Sequence, residues 1–373
     1  MPSKIGVALV GCAHPHVFPR VELLQSKPDV TIVGCYDPDE ELRRGVAERC
    51  DLTPYASSDA LLGEEEVNLV IIEGWDTDNP AYAIAAAEHG HAILLEKPGA
   101  PDLPGIRSVV DAVRKHNVPF QIGYMLRNSP VFDHILPILE SEVLGHVTLA
   151  RFHAAAPVGG AAEVWQSVPG DMGGVVFTDG CHMVDVIVRL LGIPRSAKGM
   201  MLDLPEGEPV TARGFKAETL SELTTSVEIP FGGLMYEDAG VALLEYDDKL
   251  AVFDVTGWEA HNWVEAWRIE LYGTDAVLHA GLNPPWYRLY VRNATAEYDA
   301  GWHSWEVPGD LGVENSLVVD APYVGEMNSV LDRVHRWDTD NYVWLREAEG
   351  VVAILEAIYR SAREGQPAQV RVR

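Results

Sequence analysis

Apolar positions in the first 125 residues come in short unbroken runs. Ile5-Gly-Val-Ala-Leu-Val10 ends at Gly11, and Val30-Thr-Ile-Val-Gly-Cys-Tyr36 ends at Asp37. Runs of this length without polar alternation read as parallel strands covered on both faces. Between them Val21 to Lys27 has helical spacing, and Pro19 suits a first helical turn. The alternation continues with a strand at Asn68–Ile72, an alanine-rich helix from Ala81 to His89 and a strand at Ala92–Leu95. A helix from Ile106 to His116 and a strand at Val118–Ile122 complete it. Repeated strand–helix units predict an α/β domain with a doubly wound parallel sheet over residues 1–125.

From His146 the pattern changes to period-2 alternation with short turns. It predicts strands at Val147–His153, Ser221–Ile229, Val241–Tyr246, Leu250–Val255, Arg268–Tyr272 and Tyr287–Val291. Such strands form a mostly antiparallel open sheet, so residues 126–373 are expected to be an α+β domain. A last helix near Glu347 to Arg363 is expected to pack back on the first domain. At 373 residues the chain suits two domains of ordinary size.

The 56 acidic against 28 basic residues give a formal charge of −28, which repels nucleic acid and anionic membrane. Neither is expected as a partner. The four cysteines have no metal-finger spacing and are too sparse for a disulfide framework. With no basic leader and no long apolar span, a cytoplasmic protein is expected.

In a doubly wound sheet ligands bind beyond the carboxyl ends of the strands, where four strand ends converge here. The first carries Gly11-Cys12-Ala13-His14-Pro15-His16, a degenerate form of the Gly-x-Gly-x-x-Gly dinucleotide loop that defines a Rossmann domain. Asp37 ends the second strand, placed to accept hydrogen bonds from the adenosine ribose and to repel a 2′-phosphate. NAD is therefore expected, with NADP left open by Arg43 and Arg44. Gly74, Trp75 and Asn79 follow the third strand, and Glu96-Lys97-Pro98 the fourth. With Gly11, Cys12, Ala13, His14 and Asp37, the residues Gly74, Trp75, Asn79, Glu96 and Lys97 make up the expected cofactor-binding set.

The segment Ala83-Ile-Ala-Ala-Ala-Glu-His-Gly-His-Ala-Ile-Leu-Leu-Glu-Lys-Pro98 resembles the glucose–fructose oxidoreductase and inositol dehydrogenase family, Gfo/Idh/MocA. The resemblance continues through Ile122–Arg127, Gly173-Gly174 with His182, Arg268–Gly273 and Ala357–Gly365. It implies that Lys97 lies beside the nicotinamide and the reacting hydroxyl as a positioning cation and proton-relay member. It also implies helices on one face of the large sheet and a homo-oligomer, dimer or tetramer, through the other.

The family's second signature has an aspartate where Thr178 stands here. If the segment is one helix, Thr178 and Asp179 precede His182 by four and three residues and Asp179 can replace that carboxylate; Asp185 is a further candidate. His182 is the expected general base and Asp179 its orienting carboxylate. Arg127, Thr178 and Trp165 are expected on the substrate side, and Trp258, Trp263 and Trp286 are further candidates for stacking on a sugar.

His14, His16 and His182 with Asp179 are a candidate metal set but lack ligand spacing, and no metal is expected. The expected activity is hydride transfer between NAD and a secondary alcohol of a sugar, sugar acid or cyclitol. The alternatives are transient use of a retained NAD for elimination or glycosidic cleavage, and a non-catalytic sensor.

Overall fold

A computed structural model of the protein describes residues 4–157, 172–214, 225–259, 267–282, 285–306 and 316–373. The first domain is a five-stranded parallel sheet in the order β2-β1-β3-β4-β5. Its strands are β1 (Ile5–Cys12), β2 (Val30–Tyr36), β3 (Val67–Glu73), β4 (Ala92–Leu95) and β5 (Phe120–Ile122). Every residue of β1 and β4 is buried, as expected of strands covered on both faces. The helices between them are α1 (Val17–Gln25), α2 (Glu40–Cys50), α3 (Ser58–Leu62), α4 (Asn79–Glu88) and α5 (Leu103–His116). Pro54 bridges in parallel to Cys35 beyond β2, standing where a further edge strand would lie.

Local chemistry sets these boundaries. Asp39 caps α2 by accepting from the Glu41 and Leu42 N–H groups, and Asp102 caps α5 by accepting from Gly105. In α4, Ala83, Ala86 and Ala87 are fully buried, small enough to bring the helix close to the sheet.

A 3₁₀ turn (Met125–Asn128) and α6 (Phe132–Glu140) lead into a nine-stranded sheet. Its elements in chain order are β6 (Val147–Pro157), then α7 (Val175–Thr178) and α8 (Gly180–Leu191), then β7 (Ser196–Leu202). A separate hairpin follows, β8 (Gly207–Gly214) with β9 (Thr225–Phe231). The large sheet resumes with β10 (Ala239–Glu245), β11 (Leu250–Glu259), β12 (Arg268–Gly273), β13 (Ala276–Leu282), β14 (Pro285–Val291) and β15 (Gly301–Glu306). All its pairs are antiparallel except β6 with β11.

Two helices then run back: α9 (Ser316–Arg336) and α10 (Tyr342–Glu364), before β16 (Ala368–Gln369) pairs with β7. Helix α10 packs on α8, β7 and α5, and Arg107 of α5 donates to Glu349 at 2.8 Å. The sequence pattern had not predicted α9. Its residues Met327, Val330, Leu331 and Val334 join the core of β1, so residues beyond 126 complete the first domain.

Candidate functional site

The chain winds from β1 to β2 on one side and crosses to β3 on the other, so the sheet's switch point lies between β1 and β3. There the two backbones nearly touch. Gly11 has φ +79°, and a Cβ on it would stand 2.4 Å from the Gly74 nitrogen. Asp37 reaches across from β2, accepting from Cys12 N–H at 2.7 Å and Asp39 N–H at 2.9 Å, and burial raises its pKa. Asn79, fully buried at the start of α4, has neither side-chain amide atom hydrogen-bonded among the described residues. Tight loop, ribose-site carboxylate and orphaned amide are features a bound dinucleotide fits, with its pyrophosphate at the α1 N-terminus.

Behind this crevice lies a buried charge cluster centred on Arg20 of α1, which is fully buried. Its Nη1 donates to Glu73 at the end of β3 and, at 2.5 Å, to Glu96 Oε2; its Nε donates at 2.8 Å to Glu326 Oε2 of α9. Gly123 leaves room for it, since a Cβ there would meet Arg20 Nη2 at 2.6 Å. Three carboxylates share one guanidinium, so burial drives Glu73 and Glu326 upward in pKa. Burial also opposes the charge of Glu96, but His16, His14 and Arg20 hold its pKa well below the usual range.

His14 and His16 close over Glu96. His14 Nε2 lies 3.7 Å and His16 Nδ1 3.1 Å from Glu96 Oε1, the latter close but misaligned for a hydrogen bond. Burial keeps both imidazoles neutral, lowering His14 well below the ordinary value and His16 to about 4.

Lys97 is buried at the end of β4, and its Nζ donates at 2.9 Å to the backbone carbonyl of Thr178. Burial alone would lower its pKa; Cys181, Glu96, Asp179 and Asp76 together raise it, so Lys97 is an ammonium. His182, on α8, is buried with Nδ1 unpartnered among the described residues, edge-on to the Tyr124 ring at 6.2 Å. Burial, then Lys97, depresses its pKa, leaving a neutral imidazole.

The expected single helix at this point is broken. Helix α7 ends at Thr178, Asp179 is a half-buried hinge with φ −103°, and α8 starts at Gly180. The spacing argument for Asp179 therefore lapses. Its carboxylate still belongs to the Lys97 environment and accepts from Thr178 Oγ1 at 3.1 Å. Gly173 and Gly174 precede the break because Tyr236 and Glu237 press against them, at 2.6 and 2.3 Å from any added Cβ.

Other expected residues are placed differently. Arg127 donates to both oxygens of Asp185 and at 3.0 Å to Glu347, stacked 4.4 Å from the Trp344 ring. Its charge is taken up internally, which corrects the cleft-facing expectation and removes Asp185 as a partner for His182. Trp258 donates to Asp238 and packs on Phe231, while Trp286 lies beneath Arg288; both are packing residues. Trp165 and Trp263 lie outside the described residues. Trp75 is half-buried beside the crevice.

Sequence reasoning missed Arg20, Glu73, Glu326, Tyr124 and Asp76. Asp76 is 3% exposed with Oδ2 unpartnered among the described residues, and burial pushes its pKa to about 8. Two acids closing an apolar strand, Glu73 and Asp76, were the available signal. Glu326 lies 306 residues from Arg20 and offered none.

Residues 5–124 match the family described as "Oxidoreductase family, NAD-binding Rossmann fold", and residues 132–279 match the GFO/IDH/MocA C-terminal domain. The chain is 25% identical over 180 residues to trans-1,2-dihydrobenzene-1,2-diol dehydrogenase of Xenopus laevis, covering 48% of this chain and 50% of that protein. It is 29% identical over 154 residues to inositol 2-dehydrogenase/D-chiro-inositol 3-dehydrogenase of Shouchella clausii, covering 40% and 44%. It thus spans about half the length of these relatives. A solved structure of levoglucosan dehydrogenase in complex with NADH has the same fold, with TM-score 0.74, 15% identity and 99% of both chains covered.

Proposed function

The chain belongs to the GFO/IDH/MocA oxidoreductase family with its NAD-binding Rossmann fold, and from that premise we propose that it oxidises a secondary alcohol of a sugar, sugar acid or cyclitol. The carrying observation is the pairing of a charged Lys97, fixed on the Thr178 carbonyl, with a neutral, buried His182 whose pKa the Lys97 charge helps to depress. Bound NAD would supply the hydride acceptor. Lys97 steadies the substrate oxygen as negative charge develops on it, a role that needs the ammonium to stay protonated. His182 takes the hydroxyl proton, for which its free Nδ1 is suited. Tyr124, whose hydroxyl is buried without a partner among the described residues, is placed to contact the substrate near His182. Asp37 favours NAD over NADP by charge.

Relatives acting on inositol and on a dihydrodiol support a cyclic polyol as substrate class. The test is NADH formation across a panel of sugars, sugar acids and cyclitols, with His182→Ala as control. Turnover in the native chain that falls about 10²–10⁴-fold in the variant, with NAD affinity kept, is expected. Product without net NADH would move the reading to transient oxidation by a retained cofactor.

A homo-oligomer through the large sheet belongs to the same proposal. Met200 and Leu202 on β7 and Val241 and Leu243 on β10 are 38–66% exposed on one face of neighbouring strands. Light scattering should give a mass of two or four chains.

A further inference from the structure

We propose that His14, His16 and Glu96 form a binding site for one divalent first-row transition-metal ion. Each offers one donor atom, and the three donors lie within 4.8 Å of one another on buried side chains. The separations of His16 Nδ1 and His14 Nε2 from Glu96 Oε1, 3.1 and 3.7 Å, bracket the donor–donor edge of about 3.3 Å expected when ligands sit about 2.0–2.1 Å from a tetrahedral ion.

Two observations make this more than a coincidence of side chains. First, His16 Nδ1 and Glu96 Oε1 are both buried and neither has a hydrogen bond among the described residues. Lone pairs that converge without bonding each other are what an ion between them would satisfy. Second, the donors are held in place from several directions. Glu96 Oε2 is fixed by Arg20, leaving Oε1 as the free oxygen. His14 is anchored by its N–H to the Glu73 carbonyl at 2.9 Å, and the His16 ring is set edge-on against Tyr323 of α9 at 5.3 Å. Such supporting contacts orient metal ligands.

The neighbouring charges permit a cation. Lys97 makes its short contact with the Thr178 carbonyl and lies 3.9 Å from Glu96 Oε1, so it does not occupy that oxygen. Two imidazole nitrogens and one carboxylate select zinc, cobalt, iron or manganese over magnesium or calcium, which prefer oxygen alone. Coordination through His14 Nε2 places that ring's proton on Nδ1. It gives up the 3.3 Å contact from the His16 N–H, a long and weak bond.

This inference does not depend on turnover and is read separately from it. The full-length protein is stripped with a chelator and titrated with Zn²⁺ by calorimetry. A separate metal-free sample is titrated with Co²⁺ and its visible ligand-field absorption recorded. One equivalent per chain, with cobalt bands of nitrogen–oxygen ligation, is expected. His14→Ala and His16→Ala should each weaken binding by more than the roughly 10–100-fold that loss of an outer-shell partner costs. Circular dichroism checks that both variants fold. His89→Ala, from a stacked histidine pair elsewhere, should bind as the native chain does. Failure to bind one equivalent, or affinity unchanged in both His14→Ala and His16→Ala, overturns the proposal.

Discussion

Replacing Arg20 by methionine tests the buried charge cluster most directly. The side chain is fully buried and is the hydrogen-bonding cation for Glu73, Glu96 and Glu326, drawn from β3, β4 and α9. Removing one member of a buried ion pair costs about 3–5 kcal/mol, because the remaining charge is left without a partner. At about 2 °C per kcal/mol, the low end for larger domains, the unfolding temperature should drop by about 6–10 °C. The loss should depend on pH. Without the guanidinium, burial raises the three carboxyl pKa values above the unfolded value of about 4.3. A raised carboxyl binds more protons folded than unfolded, so its contribution is intact below about pH 4.3 and is lost as pH rises through the folded pKa. In the native protein Glu73 and Glu326 are already raised, and the variant extends that trend. Thermal unfolding by circular dichroism should give a gap between variant and native chain that is small near pH 5 and widens toward about pH 8. Adding Glu73→Gln and Glu326→Gln should recover part of it. A gap below about 1 °C, less than a single kcal/mol, or one constant across pH would refute the ion-cluster account.

Lys97→Met should lower kcat by about 10²–10³-fold while NAD affinity, read by fluorescence quenching, changes little, because the ammonium acts on the developing alkoxide. The acid limb of kcat/KM should fall below the usual histidine value of about 6.5, since His182 is depressed and stays deprotonated until the pH drops through its lowered pKa. A limb at or above 6.5 would remove His182 as the base. Asp37→Ser should weaken NAD by roughly tenfold, about 1.4 kcal/mol, and narrow the preference over NADP in paired titrations.

How much the sequence revealed depended on whether a local pattern carried the information. Strand β4 was legible to the residue, because a strand buried on both faces must be apolar throughout; the bounds of edge strand β2 were legible too, although only its Gly34 and Cys35 are buried. Strand β7 escaped because Gly199 interrupts it, placed there since the Ile358 carbonyl of α10 would lie 2.5 Å from a Cβ. Helix α9 escaped because Pro322 and the fully buried Glu326 disrupt its apolar face. That glutamate answers to Arg20, a contact created by folding. Around the crevice, the motifs carrying Lys97 and His182 were visible in the sequence, whereas Glu96 as hub of His14, His16 and Arg20 was not. A tripeptide cannot show which side chains from three other elements will meet it.

The threonine at position 178 shows how the site keeps a charged lysine without a carboxylate there. Lys97 needs an acceptor for its ammonium and enough negative potential to hold its proton against burial. The Thr178 backbone carbonyl supplies the acceptor, at the point where α7 ends and its last carbonyls lack helical partners. The neighbours that raise its pKa stand around it: Cys181 first, then Glu96 at 3.9 Å, with Asp179 and Asp76 lesser contributors. Acceptor and charge, which one aspartate would combine, are thus divided between backbone and neighbours. Because Asp179 bonds to the Thr178 hydroxyl and is offset by the break before α8, it does not direct His182 as a carboxylate on the same helix would. The imidazole is left oriented by the aromatic edges of Tyr124 and Trp267. Burial, then the Lys97 charge, keeps it neutral, the state a proton acceptor requires.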